Sequence, residues 1–347
     1  MPAARVHIDS PLPAAAALSR ACALFGSLGL ERPVLLYGAE LDAAAVLLGA
    51  HQHAPHALRA PALEALALPV LRRRSGGAAV WGSRGVLYFA LGLADASTLM
   101  ACPPGRLLNR NVRGLLAGLR ALQVPAHYFG RDFVSLGTDP GVYLGWDEEP
   151  DGRVLCEFFV ALDTPFTLPE GVSGYPQPRE PPLRGKQPTT LNAAAGSPRA
   201  AGAVLAQLVD GYARGFDLSL QPEAPSALEL QRAAELELEL HVRPDDEGGL
   251  AWSAPHEEAI GFVSAGARLD TGGCIEAIRI GGDFYQHRAC AAQLQTRLLG
   301  AEPHSGPIGA ALDAVYSARP GLIEGVRSLN TLRAAALQAL ERARDLR

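Results

Sequence analysis

The sequence predicts an α+β fold: a mixed, largely antiparallel sheet flanked by helices, followed by a small α+β C-terminal unit. Three observations lead there. Short apolar runs are interspersed with stretches of helical period. Several of those runs are joined by turns too short for a crossover helix, which makes neighbouring strands antiparallel. The length, 347 residues, suits two domains better than one, and a second unit starts near Pro225, dividing the chain into residues 1–224 and 225–347.

Pro13 to Leu28 reads as a helix because Ala17, Leu18, Cys22, Leu24 and Phe25 recur at helical spacing. Pro33–Gly38 is a short buried strand closed by a glycine, Ala43–Ala50 a helix, and His51 to Pro61 a loop. Leu68–Leu71 is a second strand that runs into Arg72-Arg73-Arg74-Ser75-Gly76-Gly77, and Ala78–Trp81 and Val86–Leu91 follow it. Asn109–Leu122 is amphipathic, with Val112, Leu115, Leu116, Leu119 and Leu122 on one face. Strands around Val124–Tyr128, Val134, Gly141–Gly145 and Val154–Val160 make a β-rich middle section. Between Pro165 and Pro188 seven prolines exclude regular elements, and Pro198–Tyr212 returns to helix. In the second unit Leu236–Val242 alternates like a half-exposed strand, and an acidic loop spans Asp245–Gly249. Ala259–Val263 and Cys274–Ile280 are strands, and Cys290–Leu299, Gly306–Tyr316 and Thr331–Leu346 are helices.

Composition bounds the partners. A net charge of −5 offers no basic field to nucleic acid or an anionic membrane. No apolar stretch reaches the roughly 20 residues that span a bilayer, and Met1–Ser10 lacks the pattern of a secretory signal. The expectation is a cytoplasmic protein with no nucleic-acid and no membrane partner. Five cysteines, an odd count without a Cys-x-x-Cys pair, argue against a disulfide scaffold and a zinc site. His51, His53 and His56 read as loop histidines and Asp245-Asp246-Glu247 as an exposed hairpin tip, so no metal site is expected. Lys186 is the only lysine, so any lysine-dependent chemistry has one candidate.

Arg72 to Ala90 reads RRRSGGAAVWGSRGVLYFA. A glycine pair after a strand can approach a ligand closely and aim backbone N–H groups at an anion, while arginines add bidentate donors. Taken alone the segment reads rather as a tight turn with solvated arginines. The whole string resembles the signature of the lipoate–protein ligase A, octanoyltransferase and biotin ligase superfamily, R-R-x-S-G-G-G-A-V-x-H-D-x-G-N-L. Arg72, Arg73, Ser75, Gly76, Gly77, Ala79, Val80, Gly85 and Leu87 stand at matching positions. Gly130-Arg131-Asp132 is similar to the G-R-N-D segment of that family, and Arg184–Leu191 to its K-x-x-x-S-[VL] segment. Cys274–Phe284 resembles the start of its C-terminal accessory domain, and Leu298–Ala301 the helix end after it.

The resemblance implies a lipoate/biotin ligase-like catalytic domain over residues 1–224 and an accessory domain over 225–347. It implies ATP with Mg, and lipoate or octanoate, as cofactor and small acyl ligand, and a lipoyl-domain or other carrier protein as partner. Arg72, Arg73, Ser75, Gly76, Gly77, Ala78, Arg131 and Asp132 would then hold the acyl group or its adenylate. The departures fall where chemistry would occur. The third glycine is Ala78, the histidine Gly82, the neighbouring aspartate Ser83 and the asparagine Val86. The family's lysine-bearing turn falls on Asp139–Trp146, which has no lysine, and its histidine-glycine strand on Val154–Phe158.

That lysine matters because joining a carboxylate to the α-phosphate of ATP brings two anions together, and a cation must offset their repulsion in the transition state. Lys186, in a segment that matches a different motif, and Cys156, as a thioester-forming nucleophile, are the catalytic candidates. For Cys156 a buried small hydrophobe is the competing reading. Two functions stay open: a non-catalytic member that binds an acyl ligand, and an active ligase or transferase with an altered mechanism acting on a carrier-protein lysine. The discriminating observation is whether the groove beside Gly76–Gly77 is open or plugged by Trp81, Trp146 or Tyr143.

Overall fold

The computed structural model describes residues 1–102, 107–130, 132–176, 187–242, 249–318 and 321–346. Its centre is an eight-stranded sheet. In chain order its strands are β1 (Ala3–Ile8), β2 (Val34–Glu40), β6 (Val86–Leu93), β7 (Ala126–Tyr128), β8 (Phe133–Leu136), β9 (Asp139–Glu148), β10 (Val154–Ala161) and β11 (Ser219–Pro222). A three-stranded sheet of β3 (Ala45–Leu48), β4 (Val70–Arg72) and β5 (Val80–Gly82) is inserted between β2 and β6. The spatial order of the large sheet is β11-β1-β2-β6-β10-β9-β8-β7. Only β1 pairs in parallel, with β2 and β11. The other pairs, from β2 against β6 to β8 against β7, are antiparallel, so the sheet is mixed and largely antiparallel.

Strand alternation gives that sheet two faces. On one, α4 (Leu107–Ala121) and α6 (Ala201–Phe216) pack through Leu108, Val112, Leu115, Leu119, Val204, Leu208 and Tyr212, each buried. The two helices cross closely because a Cβ on Gly118 would lie 2.5 Å from the Gln207 carbonyl oxygen, and one on Gly211 2.3 Å from the Gly118 nitrogen. The other face receives α1 (Ala14–Gly26) and the three-stranded sheet. The short helices α2 (Ala54–Ala57), α3 (Ala60–Ala65) and α5 (Leu191–Ala195) lie in the connections.

Helix α7 (Ala227–Leu240) packs along α1 and is tied down where the Arg5 guanidinium donates to Glu229 at 2.5 and 2.9 Å. Beyond it, β12 (Ala251–Trp252), β13 (His256–Glu257), β14 (Phe262–Leu269) and β15 (Ile275–Gly282) form a small sheet. It is covered by α8 (Ala289–Leu298), α9 (Ser305–Tyr316) and α10 (Leu329–Asp345), which share a separate apolar core with it. A two-stranded ribbon, β16 (Tyr285–Gln286) with β17 (Ile323–Glu324), completes this unit. Among the described residues no helix is long and apolar enough to cross a membrane.

Three expectations are corrected. Ala43–Ala50 holds strand β3, not a helix: Ala45–Leu48 are all buried and pair with β4 on one side and β5 on the other. Two-sided pairing outweighs the helix preference of alanine and leucine. Leu236–Val242 belongs largely to helix α7, not a strand. The Ser226–Glu229 capping box starts that helix, and Leu228, Leu230 and Leu238 are simply left exposed. The loop expected at His51–Pro61 contains α2 and the start of α3, each with a proline in its first turn.

Candidate functional site

The glycine loop lies between β4 and β5, on the sheet face opposite α4 and α6. The N–H groups of Ser75, Gly76, Gly77 and Ala78 each have a protein acceptor. The Ser75 N–H donates to Glu157 Oε2 at 2.9 Å, and the Gly76 N–H to the Trp146 carbonyl at 3.3 Å. The Gly77 N–H donates to the Phe284 carbonyl at 2.9 Å, and the Ala78 N–H to Tyr143 Oη at 2.5 Å. These are the groups that would cradle an anion, and all of them are engaged.

Strand period explains who fills the loop. In β9, Val142, Leu144 and Trp146 face the helices, which turns Tyr143 and Asp147 toward the loop. In β10, Cys156 and Phe158 face the helices, and Glu157 faces the loop. Tyr143 is therefore the plug: Gly77 has φ +97°, and a Cβ there would lie 2.2 Å from the Tyr143 hydroxyl. Glycine supplies the backbone conformation, and the tyrosine occupies the space it leaves. Trp146 points into the helix-side core and Trp81 packs in a small outer cluster.

Arg73 holds the loop. Arg73, 1% exposed, donates to Ser75 Oγ at 3.1 Å, the Leu47 carbonyl at 2.9 Å and the Gly76 carbonyl at 2.8 Å. Its guanidinium also lies over the Tyr143 and Phe159 rings. Arg72 donates to the Gln52 and Gly49 carbonyls, and Arg74 to Glu149 at 2.8 Å. Asp132 is buried beside this group, and its backbone carbonyl accepts from the Leu144 N–H at 2.8 Å. Cys156 lies in the apolar core with its thiol pushed up to about 12 by burial, then by the nearby Glu157 carboxylate. Arg131 and Lys186 lie outside the described residues.

The C-terminal unit closes the loop from above. Beyond Phe284, the Tyr285 hydroxyl donates to the Leu144 carbonyl at 2.7 Å and the Gln286 N–H to Asp147 Oδ1 at 3.1 Å. His51 stacks on Phe284 with ring centres 4.9 Å apart. Its Nε2 stands 2.8 Å from Asp147 Oδ2, in ion-pair range but out of hydrogen-bond alignment. Next to this contact, beside Ala78 and Ala79, is a cavity of about 250 Å³ walled by Leu168, Tyr175, Ile260 and Phe262. Tyr175 stacks on Phe262 at 4.8 Å. Asp283 lines the same cavity: its Oδ1 accepts from Gln52 Nε2 at 2.6 Å and its Oδ2 from the Phe262 N–H at 3.0 Å. Burial pushes this carboxyl up to about 7, against the pull of those two hydrogen bonds.

The structure thus brings Arg72, Arg73, Ser75, Gly76, Gly77, Ala78 and Asp132 together, with Arg73 acting inward on the loop and Arg72 on the carbonyls of Gly49 and Gln52. Sequence reasoning missed Glu157, Gln52 and Asp283. Glu157 had a signal, a lone carboxylate inside the apolar run Val154–Ala161. Asp283 had one in the Gly281-Gly282-Asp283-Phe284 turn.

No protein-family model matches the chain, and no curated protein matches it in sequence. Solved structures do match. LipL1 from P. falciparum, in complex with lipoate, aligns over 98% of this chain and 100% of its own, with a TM-score of 0.66 at 10% identity. A lipoate–protein ligase A bound with ATP aligns over 68% of this chain and 94% of its own, with a TM-score of 0.57 at 16% identity. The bipartite lipoate protein ligase of Thermoplasma acidophilum, described with its E2 lipoyl domain, aligns over 68% and 91%, with a TM-score of 0.57 at 16% identity. With its mixed sheet, inserted three-stranded sheet and glycine loop, the chain has the lipoate–protein ligase fold.

Proposed function

We propose that this protein binds a medium-chain acyl group of the lipoate or octanoate kind and does not adenylate it. The carrying observation is that the N–H groups of Ser75, Gly76, Gly77 and Ala78 are all held by protein acceptors. An acyl-adenylate phosphate would have to displace Tyr143 and Phe284 to reach them. The missing lysine at Asp139–Trp146 and the inward hydrogen bonds of Arg73 support the same reading. The residues at the loop therefore do not fit the phosphates of ATP. The similar structures are described with lipoate, with ATP and with a lipoyl domain, which makes an acyl group the natural ligand for the cavity beside Ala78. The reading keeps the division at residues 224 and 225 and a cytoplasmic place of action.

A second reading, an active ligase or transferase with an altered mechanism acting on a carrier-protein lysine, has one observation in its favour. Phe284, the acceptor for the Gly77 N–H, belongs to the C-terminal unit, so movement of that strip would release one cradle donor. Pyrophosphate release tests the ligase form of this second reading, and a mass gain of one acyl group on the intact protein tests the transferase form. Purified protein with ATP and either lipoate or octanoate is expected to release none above the protein-free rate, since loss of one preorganised donor of this kind alone costs about 10²–10³ in rate. Calorimetry is expected to show an octanoyl ligand bound without turnover. Sustained pyrophosphate release would overturn the non-ligating reading.

A further inference from the structure

Resting on the acyl-binding reading, the cavity beside Ala78 also carries information about the head group. Among the described residues that line it, all are apolar or uncharged except Asp283, a carboxylic acid, and none is an arginine, lysine or histidine. A carboxylate ligand would normally be met by a cation or by free N–H groups. Here the N–H groups of the neighbouring loop are engaged, and Arg73 sits behind the loop with its donors on the Ser75 hydroxyl and two carbonyls.

Asp283 is a built feature of the site. It is 2% exposed, it receives one hydrogen bond on each oxygen, and each oxygen keeps a second lone-pair direction. Gly261, which also lines the cavity, has no room for a side chain: a Cβ there would lie 2.0 Å from Asp283 Oδ2. The glycine lets the carboxyl sit at the cavity wall. We infer that this pocket takes a medium-chain acyl group in an uncharged, hydrogen-bond-donating form, a primary carboxamide, and rejects the free carboxylate. The amide N–H₂ donates to Asp283, and the chain lies along Leu168, Tyr175 and Phe262. The volume of about 250 Å³ is below the roughly 300–1,000 Å³ of drug-sized pockets, which limits the ligand to a small, narrow chain. An anionic head would face the Asp283 carboxyl itself, the one acidic group among the described lining residues, while the more distant charges of Asp132 and Arg73 act on that carboxyl in opposite directions.

The probes are octanamide and octanoate, titrated calorimetrically into the full chain at pH 8, where Asp283 is ionised. Octanamide is expected to bind at least about fivefold more tightly, a difference well inside what one head-group interaction supplies. A smaller preference, or one for octanoate, overturns the inference and leaves the acyl-binding reading standing. If neither ligand binds, both fall. In Asp283→Asn the amide oxygen can still accept from the Phe262 N–H, while Gln52 keeps its Oε1 on the Gly49 N–H and gives up its bond to residue 283; octanoate affinity is expected to rise to that of octanamide. An unchanged preference in the folded variant overturns the role of Asp283. Should the variant not fold, the wild-type comparison decides alone.

Discussion

Replacing Arg73 by methionine is expected to lower the unfolding free energy by about 4 kcal/mol or more, a loss at the upper end for single substitutions. Methionine keeps much of the volume, so the effect is electrostatic and hydrogen-bonded in origin. Ser75 Oγ and the carbonyls of Leu47 and Gly76 lose their donor in a place closed to water, and each orphaned acceptor costs about 1–3 kcal/mol. Arg73→Lys keeps the charge but not the fork, so it rescues only part of the loss. Urea unfolding followed by circular dichroism reads the difference. A variant within about 1 kcal/mol of wild type would mean that the guanidinium is not the fastener of the loop and is free for a ligand.

The second large effect is a pH-dependent gap between wild type and Asp283→Asn. Burial raises the Asp283 carboxyl from its ordinary 3.8 to about 7, with Asp132 adding to the rise and Arg73, Gln52 and the Phe262 N–H opposing it. An acid whose folded pKa is raised holds its proton in the folded state after the unfolded chain has released it. Its stabilisation is complete below 3.8 and is lost as pH climbs through 7. The asparagine variant carries no such loss. Its unfolding free energy, read by urea unfolding at each pH, should gain on wild type between pH 5.5 and 8.5 by an amount on the order of 2 kcal/mol. Comparing the two proteins removes the contribution of His53 and His56, whose lowered values work in the opposite direction, and of Glu324, raised to about 7 by burial. A gap that stays constant or narrows with pH would place the ionised carboxylate in a better-solvated position.

How much of this could be read from residues alone differs by level. The helices at Pro13–Leu28 and Asn109–Leu122 were legible because their apolar positions repeat at helical spacing and one face of each is buried. The glycine segment was legible as a loop between strands because Gly76 and Gly77 interrupt two apolar runs. Strand β3 was not, since alanine and leucine favour helix and only the partners β4 and β5, distant in sequence, overrule them. Helix α7 misled for the reverse reason: alternating glutamate and leucine mimics a strand, and the packing of α7 on α1 is a tertiary fact.

In the site, residue types announced an anion cradle and the structure gives its groups other partners. That reversal depends on Tyr143, Glu157 and Phe284, which come from β9, β10 and the C-terminal unit. No local pattern could show that they converge on Ser75–Ala78. Tyr143 and Trp146 are three residues apart and equally aromatic, yet the two-residue period of β9 sends only the tyrosine to the loop.

Amide hydrogen exchange at Ser75, Gly76, Gly77 and Ala78, with and without a non-hydrolysable octanoyl-adenylate analogue, addresses that arrangement most directly. Engaged N–H groups are protected by the local opening free energy, so all four are expected to exchange slowly in the free protein and at the same rate with the analogue present. Fast exchange in the free protein that slows on adding the analogue would show an open anion cradle, and would contradict the account.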